Sequence, residues 1–181
     1  DCAAAFRNIC NEPSLRKTVL SQSIVPTLVE LTILNTGQVK QDCLAALCCL
    51  TQDEGSEEAI VRDGGVSAIT SVRISGRDPE ETIDLALIAL LNLASAPHRY
   101  AKVENVIEAV LDMLKRGFSS FKGVLSGWAT AMCLKALCNL ACQKPNSGRI
   151  VEEGAVRILV RMCSNSQIEA GSKHLCCLAL C

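Results

Sequence analysis

The ten residues CLKALCNLAC, at 133–142, place three cysteines beside an asparagine. Thiols at this density have three common explanations: a metal cluster, a thiol active site, or positions in a buried core. The whole chain poses the same question, because it carries 12 cysteines in 181 residues. The positions of the cysteines along the chain distinguish these explanations.

Metal binding by these cysteines is disfavoured by their spacing. The sequence has no C-x-x-C pair, and only His98 and His174 could supply an imidazole ligand. Cys138 and Cys142 would share a helix face, as would His174 and Cys177, but neither pair has a second pair at ligand spacing. The sequence therefore predicts no metal site and no cofactor.

Thiol catalysis is disfavoured as well. A nucleophilic cysteine needs a neighbouring base and a partly exposed, electropositive setting, and no cysteine here is marked by such a pattern. The chain also contains no G-x-G-x-x-G, P-loop or G-x-S-x-G motif. Acidic pairs such as Glu57–Glu58 and Glu152–Glu153 are typical of a solvated helix surface. We therefore expect that the protein is not an enzyme.

The composition is that of a folded protein with protein partners. The chain is 49% hydrophobic with a net charge of -1, which excludes disorder and disfavours a polyanion such as nucleic acid. It has no apolar run long enough to span a membrane. Disulfide scaffolds are usually short and loop-rich, so reduced thiols and a cytoplasmic location are expected, with nuclear or ciliary locations as alternatives. Both ends fall inside apolar helical patterns, so we expect a fragment of something longer.

A tandem repeat organises the whole sequence. The segments AAFRNI, AALCCL, IALLNL, KALCNL and LALC share a phased alanine, with spacings of 41, 43, 47 and 43 residues. The phased alanines are Ala5, Ala46, Ala89, Ala136 and Ala179. A second feature, a branched residue, recurs at Val25, Val66, Ile107 and Val156. Because both features recur with nearly the same period, they predict tandem repeats of about 41–43 residues.

Each repeat is predicted to contain three helices. The first begins after Pro13, the Asp53–Gly55 turn, Pro97 or Pro145, and ends at Ser23, Gly64, Asn105 or Gly154. The second contains the branched residue. The third contains the phased alanine. Further apolar residues lie three positions before this alanine and one and four positions after it, which is the pattern of a buried helix face. The predicted units are 1–12 (partial), 13–54, 55–96, 97–144 and 145–181, truncated at both ends.

Seven of the 12 cysteines fall on two positions of this repeat. The position three residues before the phased alanine holds Cys2, Cys43, Cys133 and Cys176. The position two residues after it holds Cys48, Cys138 and Cys181. Cysteine at a recurring core position behaves as a small apolar residue in a tight contact between helices. This interpretation explains the cysteines without assigning them chemistry.

The third-helix motifs ALCNLA (136–141) and ALLNLA (89–94), with DGGVSAI (63–69) and EEGAVRIL (152–159), resemble armadillo repeats. The resemblance covers essentially the whole chain. It implies an all-α, right-handed α-solenoid of three-helix repeats, whose third helices line a concave groove that holds an extended peptide. It also implies that a third-helix asparagine hydrogen-bonds the peptide backbone. The matching positions are Asn8, Asn92 and Asn139, with Cys49 in the second unit.

Other groove positions refine this expectation. The position four residues after each asparagine position is occupied by Glu12, Asp53, Ala96 and Gln143. Of these, we expect Asp53 and Gln143 to contribute to the groove. Import adaptors of the family carry a tryptophan one turn before the asparagine, where Lys135 precedes Asn139. Binding of a basic import signal is therefore not expected, although the two carboxylates at one end, Glu12 and Asp53, would favour a basic or polar ligand there. The alternative is that the asparagines only cap loops or pair along the stack.

One unit is longer than the others. The branched positions Ile107 and Val156 are 49 residues apart, against 41 in the earlier units. The extra residues fall near KRGFSSFKGVLSGW (115–128), which holds Phe118, Phe121 and Trp128. Either this loop packs its aromatic side chains on neighbouring helices, or it is an exposed contact site.

The sequence thus predicts a non-catalytic scaffold that binds other proteins. Two alternatives stay open: a transport adaptor between cytoplasm and nucleus, similar to importin-α, and a structural component of the cytoskeleton or a cilium. An uncapped apolar face on a terminal repeat also permits self-association. The identity of the partner does not follow from repeat surfaces, because they vary freely over similar cores.

Overall fold

A computed structural model of the chain describes residues 2–72, 78–96, 103–119 and 125–181. These residues form twelve α-helices. The helices are α1 (Cys2–Asn11), α2 (Pro13–Ser21), α3 (Val25–Leu34), α4 (Gly37–Leu50), α5 (Glu57–Arg62), α6 (Gly65–Thr70), α7 (Glu80–Ser95), α8 (Val103–Ser119), α9 (Gly127–Ala141), α10 (Lys144–Glu152), α11 (Ala155–Ser164) and α12 (Ala170–Leu180). Among them, none combines the length and apolar character needed to cross a bilayer.

The helices stack in parallel series along the chain. The third helices of successive units, α1, α4, α7, α9 and α12, each pack against the next in that order. The second helices α3, α6, α8 and α11 form a second series beside them. This arrangement is an all-α solenoid, in which each unit buries its apolar surface against its neighbours.

The core lies where the apolar period of the third helices predicts it. In α4 the residues three before, at, one after and four after the phased alanine are Cys43, Ala46, Leu47 and Leu50, all fully buried. The corresponding residues of α7 and α9 are buried as well. In α4, α7 and α9 the predicted apolar stripe is therefore confirmed, whereas in α1 and α12 only part of it is buried: Cys2 and Ala5 are exposed, and Leu180 is 42% exposed.

Left-handed residues close the short first helices. Ser23, Gly64 and Gly154 have φ of 53°, 89° and 80°, as the predicted helix ends require. The prediction for the long unit is wrong, because Asn105 lies inside α8 rather than at the end of a helix. Pro97, the predicted start of that unit, lies outside the described residues.

Buried polar side chains tie each described first helix, or the turn before it, to the third helix that precedes it. In all three cases the side chain donates a hydrogen bond to a carbonyl group at the carboxyl end of the third helix, where no backbone donor is available within the helix. The pairs are Arg16 Nε to Cys10 O (2.7 Å), Ser56 Oγ to Leu50 O (2.7 Å) and Asn146 Nδ2 to Leu140 O (3.0 Å). These bonds fix the turn between consecutive units.

The residues 115–128, expected to form a loop, are helical at both ends. Helix α8 continues to Ser119, and α9 begins at Gly127. Arg116 pairs with Asp112 one turn earlier (2.8 Å) and also donates to the carbonyl of Val72 at 3.3 Å. These contacts stabilise the last turns of α8 and attach them to the carboxyl end of α6 in the preceding unit.

Candidate functional site

The side chains three residues after each phased alanine lie on one side of the solenoid. They are Asn8 on α1, Cys49 on α4, Asn92 on α7 and Asn139 on α9. Asn8 is exposed, and the other three are partly exposed. Because they share one phase on helices that pack in order, they form a row across the stack, which we call the third-helix face.

Two of the three asparagines bond across the stack to hydroxyl groups. Asn92 Nδ2 donates to Thr51 Oγ1 at 3.0 Å, and Asn139 Nδ2 donates to Ser95 Oγ at 2.8 Å. Each hydroxyl belongs to the end of the preceding third helix. Asn92 and Asn139 thus pair along the stack, as the alternative predicts, and their contact with a peptide stays a prediction.

Pairing along the stack still allows contact with a ligand. Each hydroxyl donates its own proton to a carbonyl of its helix, Thr51 to Cys48 and Ser95 to Leu91, both at 2.7 Å. It can therefore only accept from the asparagine, and this fixes the orientation of the amide. A primary amide has two N–H donors and one carbonyl oxygen, of which this contact uses one donor.

The second unit replaces the amide by a thiol. The Sγ atom of Cys49 lies 3.9 Å from Asn11 Oδ1, in the same direction across the stack. Burial raises the pKa of the Cys49 thiol, so it stays protonated at neutral pH. A thiol is a weak donor and a weak acceptor, so this position is less suited to bind a peptide backbone.

Asp53 and Gln143 lie at the turns that follow α4 and α9. Asp53 Oδ1 is 3.5 Å from Nη1 of the buried Arg16, which caps α1. Gln143 is the N-cap residue of α10, and its carbonyl accepts a hydrogen bond from Asn146 N at 2.9 Å. Both residues therefore take part in the turns between units, and their role in ligand binding stays a prediction.

An open pocket of about 290 Å³ adjoins Asn92. It lies between the ends of α4 and α7, and its lining includes Thr51, Glu54, Glu57 and Ser95. Glu54 lies in the turn after α4, and Glu57 is the first residue of α5. The sequence predicts Glu57 only as a surface residue and gives no role to Glu54. The two glutamates give this part of the third-helix face a negative charge.

Trp128 lies on the same face of α9 as Asn139. Eleven residues separate them, which is about three helical turns. Trp128 is 46% exposed, and Lys135 is an exposed residue between the two. Of the other predicted aromatic contacts, Phe121 and the side chain of Phe118 lie outside the described part of the chain. The possible contact role of these three aromatic residues stays a prediction.

The buried cysteines are poorly suited to nucleophilic catalysis and to metal binding. Burial raises the pKa of Cys10 to about 11 and the pKa values of Cys48, Cys133 and Cys176 to about 12. These thiols are protonated at neutral pH, and a protonated thiol is a poor nucleophile and metal ligand. Within the described residues, no three His, Cys, Asp or Glu side chains are placed to hold a metal ion together.

Known structures share the fold of this chain. A designed armadillo repeat protein in complex with the peptide (KR)4 has a TM-score of 0.70 and 14% identity, over 98% of this chain and 72% of the other. A second structure, of computationally designed armadillo repeat proteins for modular peptide recognition, has a TM-score of 0.70 and 16% identity over the same shares. An engineered protein has a TM-score of 0.68 and 23% identity, over 98% of this chain and 70% of the other. No protein-family model and no curated protein matches the sequence.

Proposed function

We propose that this armadillo-type solenoid is a non-catalytic scaffold that binds an extended peptide segment of a partner protein on its third-helix face. The observation that carries the proposal is the pair of oriented amides, Asn92 and Asn139, at one phase of successive third helices. An extended peptide presents unpaired backbone N–H and C=O groups, and an amide side chain offers a partner to both.

The spacing of the amides suits an extended chain. Packed helices lie about 8–10 Å apart, which is the length of about three extended residues. Asn92 and Asn139, on adjacent helices, would therefore meet the backbone of one peptide at every third residue. Backbone contacts of this kind do not depend on the peptide's sequence.

The charges on this face favour a peptide with basic side chains. Glu54 and Glu57 line the pocket beside Asn92, where a lysine or arginine of the peptide would find two carboxylates. Lys135, one turn before Asn139, disfavours a second basic side chain at that level. The ligand we propose is thus an extended segment with a basic residue over the α4–α7 pocket. The basic peptide (KR)4 bound by the designed neighbour is consistent with this chemistry.

A labelled octapeptide of alternating lysine and arginine tests the proposal directly. We expect fluorescence anisotropy to show saturable binding to the chain, and Glu54→Gln/Glu57→Gln to weaken it. An octapeptide of alternating glutamate and aspartate serves as the charge-reversed control. Equal binding of both peptides, or binding unchanged by the glutamine variant, would contradict the assignment of the pocket.

Affinity capture from cell extract distinguishes the cellular roles. A cytoplasmic scaffold is the role we favour, because cysteine at repeated core positions suits a reducing compartment. Recovery of transport receptors would instead indicate an adaptor between cytoplasm and nucleus. Recovery of tubulin or axonemal proteins would indicate a structural component of the cytoskeleton or a cilium.

A further inference from the structure

Trp128 is a large aromatic side chain that lies in solvent on the third-helix face. It is 46% exposed, although the third helices α7 and α12 pack against α9 on its two sides. Its exposure therefore does not come from a missing neighbour in the stack. Tryptophan is enriched among the residues that dominate contacts between proteins, so this position is a candidate contact site.

Asp84 lies opposite Trp128 on the preceding third helix. The register between α7 and α9 is fixed by the 2.8 Å hydrogen bond from Asn139 Nδ2 to Ser95 Oγ. Trp128 stands eleven residues before the donor of this bond, and Asp84 stands eleven residues before its acceptor. Eleven residues are about three helical turns. The two side chains therefore leave their helices at one level and on one face, with the helix axes about 8–10 Å apart.

Glu169 approaches Trp128 from the other neighbouring helix. It is the N-cap residue of α12, and its side chain lies against Gly127, the residue before Trp128 on α9. A Cβ atom added at Gly127 would be 2.9 Å from Glu169 Oε1, which shows how closely the carboxylate approaches the backbone of α9. The indole is thus flanked by a carboxylate on each side. We call Trp128, Asp84 and Glu169 the Trp128 patch.

The negative charges of the Trp128 patch have no described counterion. No ion pair between described residues includes Asp84 or Glu169. Burial, together with the nearby carboxylates of Glu80 and Glu81, raises the pKa of Asp84. A cation beside Asp84 would offset both effects, so the patch is complementary to a positively charged group.

We propose that the Trp128 patch binds an arginine side chain of a partner protein. A guanidinium group is planar, so it can stack on the exposed indole while its edge donates hydrogen bonds to the carboxylates of Asp84 and Glu169. A lysine ammonium group has no such fork. A quaternary ammonium group is bound by cages of several aromatic rings, whereas Trp128 is the one aromatic side chain that the described residues place here.

The Trp128 patch is separate from the row of amides. Trp128 and Asn139 are about 16 Å apart along α9, so a peptide backbone that follows the amides passes well away from the indole. Lys135 lies two turns from Trp128, at a distance where salt weakens its repulsion of an arginine. The inference therefore goes beyond the proposed function and does not depend on it.

The indole N–H resonance of Trp128 reports on this patch directly. Trp128 is the single tryptophan of the chain, so a nitrogen-labelled sample gives one indole cross-peak in a proton–nitrogen correlation spectrum. The probe is the blocked tripeptide acetyl-Gly-Arg-Gly-amide, titrated at constant ionic strength. We expect it to shift the cross-peak with saturation at tens of millimolar.

Two further peptides test which group is bound. The lysine analogue should bind more weakly, because an ammonium group does not stack and pair at the same time. The citrulline analogue keeps the shape of arginine without its charge, and it should give no saturable shift.

Two matched double variants separate the patch from the proposed function. Asp84→Asn/Glu169→Gln removes two negative charges from the patch, and it should weaken binding of the arginine peptide by about 2- to 30-fold. Glu54→Gln/Glu57→Gln removes two negative charges elsewhere on the third-helix face, and it should leave the titration unchanged. A saturable indole shift in a protein that fails to bind the lysine–arginine octapeptide would contradict the proposed function alone.

Three results would overturn the proposal. One is an equal indole shift with the arginine and citrulline peptides, and the second is a shift that grows without saturation. The third is an unchanged affinity in Asp84→Asn/Glu169→Gln. If this double variant unfolds, Asp84→Asn and Glu169→Gln are titrated singly, and unchanged binding in both contradicts the proposal in the same way.

Discussion

At the scale of single residues, the cysteines of the third helices serve as apolar residues that fit between closely packed helices. Cys43, Cys133 and Cys176 recur at one repeat position and are at most 2% exposed. The same position in the first helix holds Cys2, the first residue of α1, which is exposed. Position in the repeat therefore predicts burial for the three later cysteines and not for Cys2.

The raised pKa of a buried thiol predicts a loss of stability at alkaline pH. The thiol of Cys133 has a folded-state pKa of about 12, against an ordinary value of 9.0. Its contribution is complete below pH 9 and is lost as the pH rises toward 12, since only the unfolded chain releases the proton. Cys133→Ala should reduce the alkaline slope of the unfolding free energy by about 1.4 kcal/mol per pH unit.

Urea unfolding between pH 8 and pH 11 measures this slope. Leu134→Ala is the matched control, because Leu134 is a fully buried neighbour on α9 that carries no titratable group. It should lower stability at every pH and leave the slope as in the unsubstituted protein. The same slope in Cys133→Ala as in the unsubstituted protein would contradict the assignment.

At the scale of helices, the apolar period was sufficient to predict the third helices, whereas the contacts between helices were not predictable. The side chains that cap the carboxyl ends of the third helices are an arginine, a serine and an asparagine, which share no sequence pattern. The partners of Asn92 and Asn139, Thr51 and Ser95, depend on the register between adjacent helices. A single sequence contains no direct signal for that register.

Gly117 falls in the stretch 115–128, which the sequence predicts to be a loop. It lies instead inside α8, where an added Cβ would be 2.4 Å from Cδ1 of Leu125. The glycine permits close packing between the end of α8 and the residues before α9.

Two glycine substitutions should therefore have opposite effects. Gly117→Ala should destabilise the protein by about 1–3 kcal/mol, since the added methyl group overpacks the contact with Leu125. Gly148→Ala should stabilise it by about 0.5–1 kcal/mol, because alanine favours the helix and no atom lies within 4 Å of the new Cβ. Thermal unfolding of the two variants provides the measurement. Equal stabilisation by both would show that Leu125 does not restrict this position.

At the scale of the whole molecule, the end of the stack at α12 exposes apolar surface. Val156 and Leu178 are 43% and 51% exposed, and they line a groove of about 570 Å³ between α10, α11 and α12. An exposed apolar patch of this kind marks a contact site. This surface is where the predicted self-association of the chain would occur.

Self-association through this groove should be sensitive to charge. Light scattering after size-exclusion chromatography should detect dimers of the chain at rising concentration, and Val156→Lys/Leu178→Lys should abolish them. Val39→Lys, at a 38% exposed valine on α4, is the control and should leave the dimers intact. A monomer at all concentrations would contradict self-association, and loss of dimers in the control would place the contact elsewhere.

The central claim concerns the whole third-helix face, where the asparagines have both a structural and a binding role. The two roles can be separated, because each hydrogen bond along the stack joins a donor amide to an acceptor hydroxyl, and either group can be removed without the other. Asn92→Ala/Asn139→Ala removes the amides, while Thr51→Val/Ser95→Ala removes the hydroxyl acceptors and keeps the amides. Both double variants lose the same two inter-helix hydrogen bonds.

The affinity of these two variants for the lysine–arginine octapeptide is the most direct test. Each lost hydrogen bond to the peptide should cost about 0.5–1.5 kcal/mol, so the asparagine variant should bind about 5- to 150-fold more weakly. The hydroxyl variant should bind within about threefold of the unsubstituted protein, while the two variants melt at similar temperatures. Equal affinities of the asparagine variant and the unsubstituted protein would show that the peptide does not contact this row of amides, and would contradict the account.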